Sequence, residues 1–229
     1  GHHGGVLRST DGGRTWQTTN LTGQTDDAMG MGFAGAGGET IFAAGHDTFF
    51  KSEDAGLTWE PIKPKLPGTD VHGLAVAPDD PNRLYAHVVR YGLFRSDDGG
   101  ESWAKAATVP GDIMTLTAGP DGRVYAASMS QGILRSDDGG QTFTATGSDA
   151  ATLTVAASTT DADIVYAGAE DALFVSTDGG ASWEQKSVPG GGQVMVAAVN
   201  PSDPMDITVV AVQSDSAGHV FRSTDGGRL

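Results

Sequence analysis

The chain is 229 residues long and carries 14 basic against 29 acidic residues, a formal net charge of −15. That balance disfavours nucleic acid and anionic membrane surfaces as partners and favours cations or basic partners. There is no Cys, so disulfides and thiolate metal sites are excluded, and no run of about 18 apolar residues is present, so no membrane span is predicted.

Read from the amino terminus, one octet keeps returning: STDGGRTW at 9–16, SEDAGLTW at 52–59, SDDGGESW at 96–103, SDDGGQTF at 136–143, STDGGASW at 176–183, and a shortened STDGGRL at 223–229. Its central acids are Asp11, Asp54, Asp98, Asp138, Asp178 and Asp225, spaced 43, 44, 40, 40 and 47 residues apart. That period matches four-stranded propeller blades. The repeat units run about 1–24, 25–67, 68–109, 110–147, 148–190 and 191–229. Between octets lie short runs rich in Val, Leu, Tyr and Thr, such as DVHGLAVAP, RLYAHVV and GLFRS, separated by Gly, Pro, Asp and Asn turn signals. Each unit reads as strands A, B and C, the octet, then strand D. Sustained 3.6-residue periodicity is lacking, so helix is expected to be scarce. The 34 glycines, about twice the usual share of roughly 7%, suit such a fold. The chain opens at Gly1 and stops inside a repeat at Leu229, and it is expected to be a processed or trimmed form of a longer product.

The octet has a local explanation. Asp tolerates turn conformations, and its carboxylate accepts nearby backbone N–H groups. Its second glycine supplies a positive φ, and the closing aromatic (Trp16, Trp59, Trp103, Phe143, Trp183) is expected to pack as a plug between blades. A residue used alike in every unit holds the frame, whereas chemistry needs one special place.

These residues resemble the Asp-box (bacterial neuraminidase repeat) family, S-x-D-x-G-x-[ST]-W, within the sialidase superfamily and its glycosyl-hydrolase-like bacterial members. The resemblance implies an all-β β-propeller whose boxes join strands C and D on the face away from the ligand site. Six blades are expected, with seven as the alternative, in one domain spanning 1–229.

On the opposite rim, strand-A entrances give Asp27-x-Met29, Asp70-x-His72, Asp112-x-Met114, Asp149-x-Ala151 and Gln193-x-Met195. The B–C loops add His2 and His3, His46 with Asp47, His87 with Arg90, Glu170 with Asp171, and Asp215, with His219 near by. Two readings of this rim stand. In one, His3, His46 and His72 bind a divalent or copper-type metal ion, with Asp47 or Asp70 as ligand or orienter and Met29 or Met114 as an added soft ligand. In the other, the acids cap turns, the methionines pack, and the histidines are solvated.

Sialic acid hydrolysis would need three convergent arginines. Arg8, Arg95, Arg135 and Arg222 precede boxes, Arg14 and Arg228 lie inside them, and Arg83 and Arg123 sit at A–B turns, which leaves Arg90 alone for the rim. A different glycoside hydrolase would use rim carboxylates, Asp70, Asp112 and Asp27, with a spacing of about 5–5.5 Å or about 6.5–9.5 Å. The favoured expectation is a non-catalytic binding or interaction propeller that is secreted, periplasmic or cell-surface. Its protein or glycan ligand would meet the channel mouth opposite the boxes, with Arg90, Tyr91 and Asp149 in contact.

Overall fold

The computed structural model describes residues 6–21, 27–34, 38–147 and 151–229. Every regular element among them is a β-strand. The chain falls into two compact units, 1–111 and 112–229. In the first, β1 (Leu7–Arg8) and β2 (Gln17–Thr18) form a ribbon. β3 (Ala28–Ala34), β4 (Thr40–Gly45), β5 (Thr48–Ser52) and β6 (Glu60–Pro61) make one antiparallel four-stranded sheet, and β7 (Val71–Ala77), β8 (Asp80–Val88), β9 (Gly92–Ser96) and β10 (Ala104–Ala107) another. In the second unit, β11 (Ile113–Ala118) to β14 (Thr144–Ala145) and β15 (Thr152–Ala157) to β18 (Glu184–Ser187) are four-stranded. There, β12 is Val124–Ser128, β13 Gly132–Ser136, β16 Val165–Ala169 and β17 Ala172–Ser176. The last sheet has three strands, β19 (Gln193–Asn200), β20 (Asp203–Val212) and β21 (Gly218–Ser223).

The architecture is of the all-β propeller type, but it has five blades, not six or seven. The six boxes overcount the blades because the first sits on a two-stranded ribbon and not on a blade, while the last follows a blade of three strands. Asp11 closes the two-stranded β1–β2 ribbon, and Asp225 follows β21 of the three-stranded sheet.

The boxes behave alike. In all six, the Ser hydroxyl donates to the Asp Oδ1 at 2.7–2.9 Å and accepts the N–H of the second Gly at 2.7–2.9 Å. In the five complete ones, Oδ1 also accepts the N–H four residues on at 2.8–2.9 Å, and Oδ2 accepts that residue's hydroxyl. The second glycine has φ between 81° and 100°, and at four boxes its bare Cα lies under the Trp ring. Trp59 packs with Val6 and Leu21, Trp103 meets Phe49 of the preceding blade edge-on at 6.2 Å, and the Trp183 indole donates to Thr146 of the blade before it. Phe143 is partly buried. Trp16 departs from the plug expectation. It is 52% exposed, because its two-stranded ribbon follows no described blade that could cover it.

The arginines ahead of boxes also serve the frame: Arg8 donates to the Ala55 carbonyl at 2.8 Å and Arg135 to that of Gly179 at 3.0 Å, the same place in the following boxes. Tyr85, Tyr125 and Tyr166 are buried on the second strands, and the Tyr125 hydroxyl donates to the Gly179 carbonyl at 3.0 Å.

These bonds, led by those from the residue four places on, hold the Asp11, Asp54, Asp98 and Asp178 carboxyls from the ordinary 3.8 down to about 2. A carboxyl depressed in the folded state stabilises above its unfolded pKa and loses that contribution as pH falls through its folded one. The denaturation midpoint is therefore expected to drop steeply between about pH 4 and 2, and Asp98→Asn to flatten that slope, measured by urea titration across the range. Ala55 holds φ 58° where the other boxes carry Gly. A left-handed Ala costs about 1–2 kcal/mol and a Gly about 0.5–1 in unfolded-chain entropy, so Ala55→Gly is expected to raise the melting temperature by about 1–4 °C in calorimetry.

Candidate functional site

Strand polarity separates frame from rim. β5 leaves the turn at residues 46–47 and ends at the box serine Ser52, so the His46 end of the blade lies about one strand length, roughly 17 Å, from its box.

The first strand of all five blades bears a β-bulge at the same place, on Met29, His72, Met114, Leu153 and Met195. A bulge re-aims one side chain out of the alternation. Four blades place an apolar residue there and one places a histidine. Two residues before His72, Asp70 forms an isolated bridge with His46 of the neighbouring blade, and the Asp47 N–H donates to the Thr69 carbonyl at 3.0 Å.

Three donor atoms converge as a result. His46 Nε2 and His72 Nε2 are 3.2 Å apart, and Asp70 Oδ1 lies 3.1 Å from the latter and 3.4 Å from the former. The two imidazoles meet edge to face. Asp27 pairs with the other nitrogen of His46, Nδ1, and its hydrogen bond to the ring is the chief reason the imidazole pKa is raised. The contact with Asp27 occupies Nδ1 and turns the other ring nitrogen, Nε2, toward His72 and Asp70. The His46 side chain is 46% exposed, that of Asp70 44% and that of His72 19%.

Glycines allow this approach. A Cβ on Gly45 would fall 1.7 Å from the Asp27 carbonyl oxygen, and one on Gly30 would fall 2.8 Å from the Leu74 nitrogen. Asp27 can reach His46 because Gly45 has no side chain, and the bare Gly30 lets β3 lie close to β7.

The other candidates take plainer places. Asp47 is turned to the Thr69 hydroxyl, with φ 55°. His87 is buried inside β8, since it falls in the paired part of the strand and not in the loop beyond. Asp112 accepts Ser128 Oγ and the Ser130 N–H, both at 2.8 Å. Burial pushes its carboxyl up, but these bonds outweigh it and hold the pKa below the ordinary value. Met29 and Met114 are half-buried at their bulges. Asp171 accepts the Gly192 N–H at 2.5 Å, Glu170 bridges Gln193, and His219 pairs with Asp215 at 3.0 Å. His2, His3 and Asp149 lie outside the described residues, and by register the fourth-blade counterpart of Asp70 is Ala151.

Beside the cluster is a feature with no motif. A groove of about 320 Å³ is lined by Thr48, Phe49, Ile62, Leu66, Gly68 and Val71, with Asp47, Lys63, Pro64 and Thr69 at its margins. One wall is the strap 62–69, stiffened by two prolines and tied to β5 by the Ile62 N–H donating to the Phe49 carbonyl at 2.8 Å. Tyr91, 46% exposed, lies over Gly68, where a Cβ would come 3.0 Å from its ring, and Arg90 beside it is exposed with φ 71°. The residues lining it are scattered, and only the pair Pro64 and Pro67 signals the strap in sequence.

Comparison with known proteins adds the following. The family model described as "Photosynthesis system II assembly factor YCF48" matches residues 1–134, more than half of the chain, and a BNR/Asp-box repeat matches 174–185. No curated protein matches the sequence. Among solved structures, the GH74 xyloglucanase from Xanthomonas campestris is 20% identical at a TM-score of 0.68, covering 98% of this chain and 41% of that one. This chain thus spans about two fifths of that enzyme. YCF48 from Cyanidioschyzon merolae is 18% identical at 0.62, covering 100% and 78%, and a YCF48 bound to D1 peptide is 16% identical at 0.57, covering 88% and 80%. At these identities the likeness is one of fold.

The contact of Gly45 with Asp27 makes a sharp test. Gly45→Ala is expected to cost about 3 kcal/mol through overpacking and to lower the melting temperature by about 6–12 °C. Gly111→Ala, where a Cβ would meet nothing within 4 Å, is expected to leave it unchanged in the same calorimetric series.

Proposed function

We infer that this chain, which belongs to the family described as photosynthesis system II assembly factor YCF48, is a non-catalytic propeller that binds an extended polypeptide. The observation that carries this reading is the groove between the strap 62–69 and the starts of β5 and β7. Its floor is apolar, with Phe49 and Val71 nearly fully buried, while Lys63, Thr69 and Asp47 offer polar groups at the margin. Such a slot suits one apolar side chain of a peptide whose backbone is held at the rim. The exposed ring of Tyr91 over Gly68 extends the contact surface. Support also comes from the similar YCF48 structure, which holds a D1 peptide.

The carboxylates that a glycosidase would use are engaged elsewhere: Asp27 and Asp70 face histidines, and Asp112 is held by Ser128 and Ser130. Their placement favours binding over hydrolysis.

Peptides selected by display against the intact chain are expected to carry a large apolar residue and to bind saturably in calorimetric titration. Leu66→Asp should weaken them at least tenfold, and Met205→Ala, far along the sequence in the other unit, should not. Selection of no peptide, indifference to Leu66→Asp, or release of reducing ends from xyloglucan would overturn the reading.

A further inference from the structure

We propose that His46, His72 and Asp70 form a binding site for one divalent first-row transition-metal ion, of zinc type, with Asp27 as the residue that positions His46. The site goes beyond peptide binding and does not depend on it.

The first support is metric. Zinc bonds of about 2.0–2.1 Å to imidazole nitrogen and carboxylate oxygen, in tetrahedral geometry, place neighbouring ligand atoms roughly 3.3 Å apart. The three donor atoms here stand 3.1, 3.2 and 3.4 Å from one another. They already outline one face of a tetrahedron, and the half-exposed His46 and Asp70 leave the fourth position to water.

The second support is the outer contact. A metal-bound histidine commonly donates its other N–H to a carboxylate, which fixes tautomer and ring orientation. Asp27 stands in that relation to His46, and Gly45 is the residue whose missing side chain admits it. The third is the state of Asp70. Its Oδ1 is shielded from solvent and has no hydrogen-bond partner of regular geometry, although two imidazole nitrogens lie within 3.4 Å. Two facing Nε2 atoms at 3.2 Å share at most one proton between them. A cation satisfies all three atoms at once, which hydrogen bonding alone does not.

The site is also singular. Among the described residues, these three are the one group of His, Asp and Glu side chains whose donor atoms all lie within 4.8 Å of one another. His72 occupies the bulge that is apolar in the other four blades. Two imidazoles and a carboxylate suit Zn²⁺, with Cu²⁺ and Ni²⁺ as competitors, and fit Ca²⁺ or Mg²⁺ poorly.

The test uses intact chain purified without metal-affinity resin and stripped with chelator. Titration with ZnCl₂, read by calorimetry and elemental analysis, is expected to give one zinc per chain, and Co²⁺ to give the visible absorption of a tetrahedral site. His46→Ala and His72→Ala should each weaken zinc at least tenfold, and Asp27→Asn by about 10–100-fold. His219→Ala, which breaks the separate pair with Asp215, should change nothing. Metal-free melting curves establish that the variants fold. If no stoichiometric zinc binds, if binding survives in the His46→Ala/His72→Ala double variant, or if it disappears when only His2 and His3 are replaced, the proposal is wrong.

Discussion

One carboxylate per repeat closes the turn between the third and fourth strands, and the rest of the structure is arranged around that closure. The Asp takes an N–H and a hydroxyl from the residue four places on, while Ser hands it a third hydrogen bond and uses its own oxygen for the glycine N–H. The Asp carboxylate, the Ser hydroxyl and the second glycine's N–H are thereby satisfied inside eight residues, while the carbonyl before that glycine accepts from the preceding unit, from Arg8 at Ala55 and from Tyr125 and Arg135 at Gly179. The glycine's bare Cα then becomes the seat for the aromatic, which reaches back to the preceding blade at Phe49 or Thr146. A local turn and an inter-blade contact are thus one device. Because it consumes one end of every sheet, side chains free to differ from blade to blade collect at the other.

Close backbone approach is the second constraint. Gly30 and Gly32 let β3 lie against Leu74 and Val76 of β7, and Gly45 lets the Asp27 peptide press against the end of β4. The bulge at the head of each first strand turns one side chain out of register. Where the bulge carries Met or Leu the result is packing, and where it carries His72 the same backbone delivers an imidazole to His46 and Asp70. Chemistry enters here by a change of side chain at a position the frame already provides.

These features differed in how far the sequence displayed them. The octets were legible because their bonds are local, and so were the strands between them, whose runs of Val, Leu, Tyr and Thr end at turn residues. Blade number was not, since the two-stranded ribbon around Asp11 carries the same octet as a whole blade. His46 and His72 stood out as rare residues at the rim, with Asp70 weighed as a ligand or orienter. The role of Asp27 toward His46 was hidden because it rests on Gly45, and an unremarked glycine in a chain with 34 of them carries no flag. His87 was misplaced because a B-strand histidine and a loop histidine look alike until the pairing register is fixed. The groove left almost no trace, as its lining joins residues from two strands and a strap.

The charge of −15 acquires a different meaning once the acids are located. Many are committed to the frame. Six sit at box centres, where Ser hydroxyls and, in the five complete boxes, the N–H four residues on hold the carboxylate in place. Others face the arginines: Asp79, Asp80 and Asp97 lie around Arg83 and Arg95, Asp121 and Asp137 around Arg123 and Arg135, and Asp206 against Arg222. For these twelve acids the charge serves the repeated turn and its neighbouring arginines. Asp27 and Asp70 are of another kind, because their ion pairs are with imidazoles at the rim. A total over the whole chain weights them no more than any box acid, whereas their placement beside two histidines makes them the acids whose local field a small cation would meet.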